Sequence, residues 1–201
     1  MASEIDICNL ALARLGDSAT ISSLDPPEGS AQADHCARFY PIARDALLEL
    51  HDWKFAIKRV SLAQLGADVN GWGYSYAKPS NCLKLIGILS ADAGADEESE
   101  EYETEADSTG NEIILTDIET ATARYLVRIT DTNKFPPLFV EALSWLLASH
   151  LAGPVMKGDE GAKMAQTCYA RAVFLTGSAA TSDANQRKNR PDHSPAWIGN
   201  R

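Results

Sequence analysis

The run LFVEALSWLLASHLAGPV, residues 138–155, is the most apolar stretch of the chain, and it contains Glu141, His150 and Pro154. It reads as too short and too broken to span a bilayer, so it is expected to be a core helix. A core helix needs partners, and the flanking sequence offers them. Residues 4–16, EIDICNLALARLG, place Ile5, Cys8, Leu12 and Leu15 at helical spacing. Ser3 stands ready to cap this helix, with Asp6 three residues on. A second helix is expected from Ala31 to Leu50, capped by Ser30, and Pro41 inside it should kink or split it. The apolar helix is expected to start at Pro136 and Pro137 and to stop near Ala152, before Gly153 and Pro154. A last helix is expected over about 159–180, with Met164, Cys168, Ala172 and Leu175 on one face.

Between these helices the pattern changes. DWKFAIKRVSLAQL (52–65) alternates Trp53, Phe55 and Ile57 with Lys54, Ala56 and Lys58, which suggests a short extended segment. Strand signals then dominate from Trp72 to Ile129, in residues 82–89, 101–105, 112–117 and 121–131, with a turn at DSTGN (107–111). The expected fold class is α+β: a four-helix-type bundle from residues 1–65 and 132–180, a small antiparallel β subdomain inserted at 66–131, and an extended C-terminal tail at 181–201.

Composition narrows the function classes. The chain has 201 residues, a net charge of −10 and a pI near 4.8. It needs no staple, since a chain of this length can bury roughly 70% of its unfolded surface. The charge disfavours a general DNA binder, whose affinity comes from Lys and Arg on phosphates. Cys8, Cys36, Cys82 and Cys168 lie far apart, without CxxC or zinc-finger spacing. They read as buried reduced thiols, in keeping with folding in a reducing compartment. Glu4 and Asp6 stand where a signal peptide would be positive. His35, His51, His150 and His193 form no compact ligand motif, and GxSxG, P-loop and GxGxxG patterns are absent from the sequence. No cofactor, metal or catalytic residue is expected.

Three features could carry function. Trp72, Tyr74 and Tyr76 in GWGYSYAKPSNCLKLI (71–86) alternate along the chain. They are either a stacking platform for a sugar or a base, or a packed strand face at the line between bundle and insert, and the packed face is favoured. The run DAGADEESEEYETEAD (92–107) carries nine carboxylates and no basic residue. It is expected to be a solvated acidic loop, with Asp96, Glu97, Glu98, Glu100 and Glu101 facing a channel or a basic partner. Paired carboxylates could hydrolyse a glycosidic bond, but a general acid needs an apolar pocket. Residues 187–201 run the other way, with Arg187, Lys188, Arg190 and Arg201 against Asp192. Trp197 and Ile198 are natural anchors for docking such a tail.

Five segments together resemble the tail tubular protein A family, the head-to-tail adaptors of short-tailed phages. They are EIDICNLALARLG, HDWKFAIKRVSLAQL, GYSYAKPSNCLKLIGI, RYLVRITDTNKFPPLFVEALSWLLASHLAGPV and the long last helix, over residues 1–180. The chain departs at Asn81, where the family often has Asp, and in the acidic run 92–107. The resemblance implies a structural virion protein and not an enzyme. It implies a homo-oligomeric ring, typically of twelve copies, assembled in the host cytoplasm between portal protein and tail nozzle. DNA would pass through the ring without specific binding, no membrane would be involved, and a C-terminal segment would dock on the portal. The rival readings are a tail-associated peptidoglycan hydrolase, and a sugar- or nucleic-acid-binding module using Trp72, Tyr74 and Tyr76.

Overall fold

The computed structural model describes residues 2–90 and 99–186. Helix α1 spans Glu4–Arg14 and begins with a reciprocal cap: Ser3 Oγ accepts from the Asp6 amide, and Asp6 accepts from the Ser3 amide at 2.9 Å. Its buried side is Ile7, Cys8, Ala11 and Leu12. Helix α2 spans Ala31–Glu49, with Ser30 capping through the Ala33 amide. The expected split at Pro41 does not occur. The proline is exposed, and the helix runs through it at the cost of one backbone hydrogen bond.

Among the described residues seven strands follow: β1 (Ile57–Ser61), β2 (Gln64–Val69), β3 (Trp72–Ala77), β4 (Cys82–Ser90), β5 (Glu103–Ala106), β6 (Glu112–Thr116) and β7 (Ala121–Val127). Helices α3 (Pro137–Met156) and α4 (Gly158–Ala184) complete the described chain. α3 does not stop at Ala152; it continues through Gly153 and Pro154 to Met156. With 20 residues it is long and apolar enough to cross a membrane by length and composition, so the reading as too short is corrected. Half of it is buried by packing within this chain.

The expected four-helix-type bundle with one small β insert is overturned. The fold is mixed α+β, with four helices and two antiparallel sheets of three and four strands, ordered β1-β7-β4 and β2-β3-β6-β5. The physical reason lies in α3. It buries Phe139, Ala142, Leu143, Leu146, Leu147 and Leu151 around most of its circumference, so it acts as a hub. α1, α2 and α4 each pack on it, while α1 and α2 barely meet. The helices therefore do not close a bundle core among themselves. One continuous core joins them to both sheets, through Ile88, Ala123 and Leu126 of the smaller sheet and Tyr76 and Ile114 of the larger.

β1 is not part of a helical segment. It pairs antiparallel with β7, from Ile57 opposite Leu126 to Ser61 opposite Thr122. The alternation expected from Trp53 is interrupted first by a 3-10 turn at Lys54–Ala56, which keeps Trp53 and Ala56 both buried. β2 lacks β-branched and aromatic residues except Val69, and its pairing with β3 is what makes it a strand. Asn70 and Gly71, at φ 53° and 89°, form the two-residue hairpin turn between them. The expected turn at 107–111 is present, with Asp107 Oδ1 accepting from the amides of Thr109 and Asn111 at 2.8 Å each.

Candidate functional site

The aromatic stretch lies on β3, an interior strand between β2 and β6. Alternation puts Trp72, Tyr74 and Tyr76 on one face, but the face sinks into the molecule. Tyr76 is 1% exposed, and its hydroxyl lies 2.6 and 2.7 Å from the carbonyl oxygens of Ile118 and Glu119. Tyr74 is half-buried against the core. Trp72 is half-buried too, and its indole N–H points to Glu103 at 3.4 Å. A platform of three solvent-facing rings is not formed. Nor is the stretch a hinge line, because the chain has already entered the sheets at Ile57. Asn81, where the resembling family often has Asp, has φ 61°, a left-handed conformation that Asn and Asp both tolerate.

Of the expected acidic loop, Asp96, Glu97 and Glu98 lie outside the described residues, while Glu100 and Glu101 are exposed. The backbone of both is held: the Glu100 amide donates to Ile88 O at 2.8 Å, and Thr116 Oγ1 donates to Glu101 O at 2.9 Å. The docking residues Arg187, Lys188, Arg190, Trp197 and Ile198 all lie outside the described residues.

Sequence reasoning missed the foot of α4. Asp183, in the last helical turn, is 4% exposed. Its carboxylate accepts from the Lys54 amide at 3.1 and 3.3 Å. The Lys54 ammonium donates in turn to the carbonyls of Asp183 and Ala184 at 2.6 and 2.7 Å, which caps the helix end. The His51 imidazole stands 3.4 Å from the same carboxylate without hydrogen-bond alignment, edge-on to Trp53. Beside this latch is a cavity of about 230 Å³, whose lining includes Trp53, Pro136, Leu138, Phe139, Ala179, Asp183 and Gln186. Trp53 is itself fixed, donating its indole N–H to Leu47 O at 3.0 Å and meeting Phe139 edge-on at 5.1 Å. The one legible signal was an aspartate at a helix C-terminus, where the dipole disfavours it and a partner is required.

The outer side of α4 is a second missed feature. Cys168, Ala172, Leu175 and Ala179 face α3. Tyr169, Val173 and Phe174 point elsewhere and are 57%, 53% and 64% exposed. Arg171 covers only one side of the Phe174 ring, with its guanidinium 5.5 Å from the ring centre. Three large apolar side chains within two helical turns form a surface patch, unlike scattered single ones.

The remaining candidates are structural. His150 is half-buried and stacked on Phe39, and burial holds its pKa below the ordinary value. Cys8, Cys36 and Cys168 are buried and Cys82 half-buried, all free; burial pushes the Cys82 and Cys168 thiols up. An open depression near the start of α1 is lined by Glu4, Asp25 and Asp131, but Asp25 and Asp131 are solvent-exposed and lack the apolar surroundings of a general acid. No group of three or more metal-ligating side chains exists among the described residues. No protein-family model matches the chain. No curated protein matches it either.

Proposed function

We propose that this chain is a structural subunit of a short-tailed phage virion, a head-to-tail adaptor forming a ring between portal and tail nozzle. The observation that carries the reading is the apolar outer face of α4. An acidic chain that leaves Tyr169, Val173 and Phe174 in solvent has a surface suited to contact with another subunit. The five resembling segments supply the kind of assembly, and most of the described fold lies within them. In a closed ring each subunit offers one face to the next, so many modest contacts act together. The net charge of −10 suits a wall past which DNA must slide, because acidic surfaces do not trap phosphates.

Electron microscopy of the purified chain, alone and with portal protein, tests this. Rings are expected on portal, and the double change Val173→Glu with Phe174→Glu should abolish them while leaving the circular dichroism spectrum unchanged. Rings that form equally well with both glutamates would remove α4 from the lateral contact. Failure of the wild-type chain to associate with portal at all would end the adaptor reading.

A further inference from the structure

We propose that Cys8 of α1 and Cys36 of α2 form an oxidation site, a thiol pair that peroxide closes to a disulfide, stapling the first helix to the second. Both side chains are fully buried in the common core, and their thiols meet in a hydrogen bond donated by Cys8. α1 and α2 barely meet, each packing on α3 instead, so two sulfurs in contact are a notable part of what joins them. Ala11 and Ala33, each one turn from its cysteine, are buried as well and let the backbones come close. A disulfide needs Cβ atoms roughly 3.5–4.5 Å apart. Thiols already in contact need side-chain rotation and a small approach of the helices to reach it.

The hydrogen bond makes the two thiols unequal. It holds the Cys36 thiol below its ordinary pKa and pushes Cys8 up, with burial and Glu4 adding to the rise. Cys36 is therefore the nucleophile. Its thiolate attacks one oxygen of hydrogen peroxide, the O–O bond breaks and the sulfur becomes a sulfenic acid. The departing hydroxide leaves as water with the proton that Cys36 gave up. Cys8 then loses its proton as its sulfur attacks the sulfenic sulfur; the S–O bond breaks, the S–S bond forms and a second water departs. Two thiols are oxidised and one peroxide is reduced.

Tyr40 stands one turn beyond Cys36 on the same buried side of α2. Its hydroxyl is buried without a hydrogen-bond partner among the described residues. Burial raises its pKa, with Glu4 and Cys8 adding to the effect, so it stays an O–H donor. A sulfenic oxygen at Cys36 would supply the acceptor that this phenol lacks. Hydrogen peroxide is close to water in size, and a brief local opening of α1 admits it. The staple would close residues 8–36 into a loop and restrict the unfolded chain. None of this rests on the adaptor reading.

The test treats the full chain with hydrogen peroxide under native conditions, isolates the monomer, blocks remaining thiols with N-ethylmaleimide in denaturant and maps unreduced tryptic peptides by mass spectrometry. A disulfide joining peptide 1–14 to peptide 15–38, with Cys82 and Cys168 in no disulfide, is the expected result. Oxidation should raise the urea midpoint by roughly 1–2 M. Dithiothreitol should return it, and Cys36→Ala should show no rise. Recovery of both cysteines as maleimide adducts, oxidation of either one singly to sulfinic acid, or pairing with Cys82 or Cys168 would each overturn the proposal. So would a linked pair with an unchanged midpoint. The mapping uses the unmodified chain, so it decides the matter whether or not the variant folds.

Discussion

Asp183 sits where a helix least favours a carboxylate, in the last turn, among carbonyls that carry the negative end of the dipole. Its burial is tolerated because Lys54 meets it twice, with its backbone amide on the carboxylate and its ammonium on the two carbonyls behind it. The two residues are 129 positions apart, so this latch ties the end of α4 to the segment between α2 and β1. Removing the carboxylate strands the Lys54 amide in a buried site. Asp183→Ala should lower stability by about 2 kcal/mol, and Asp183→Asn, which keeps an acceptor, by about 1 kcal/mol. Urea unfolding reads both as a shift in midpoint at constant slope. Equal losses for the two variants would mean that the carboxylate charge, and not the amide contact, is what matters.

At the scale of elements, α3 and α4 form a hairpin joined through Lys157 alone, and they pack tightly at Gly161. A methyl group there would stand 2.9 Å from the Ala152 carbonyl oxygen, which cannot move without its helix. Gly177, in the same helix, faces open space. Gly161→Ala should therefore destabilise by about 1–3 kcal/mol, while Gly177→Ala should stabilise by about 0.5–1 kcal/mol through helix propensity. Thermal unfolding of the monomeric variants would show the opposite signs. Elements of this kind were legible where local chemistry decided them: the Ser3 and Ser30 caps, the DSTGN turn, the strands at 82, 112 and 121. Legibility failed where tertiary contacts decided. β2 exists because β3 pairs with it, although Asn70–Gly71 is a strong hairpin signal that the aromatic alternation after it overshadowed. The bundle expectation treated four helices as equal stripes, whereas α3 is buried on most sides and α4 only along one narrow line. The latch and the cavity join residues over a hundred positions apart, and no spacing rule reaches that far.

For the whole molecule, the structure changes where the proposed docking segment can begin. The expected tail opened at residue 181, but α4 runs to Ala184, and the latch at Asp183 belongs to the folded body. A deletion of 183–201 would remove the Lys54 contact together with the anchor and confuse a folding defect with a docking defect. Cutting after Gln186 separates them. The chain lacking 187–201 should still unfold cooperatively with the Lys54–Asp183 latch intact, whereas the longer deletion should lose about 2 kcal/mol. Both should fail to attach to portal-capped heads. If the tail docks as proposed, binding of the intact chain should weaken as salt rises, because Arg187, Lys188 and Arg190 would act through screened charge. If the chain cut after Gln186 attached to heads at full occupancy, the docking surface would have to lie on the folded body, and the outer face of α4 would be the first place to look.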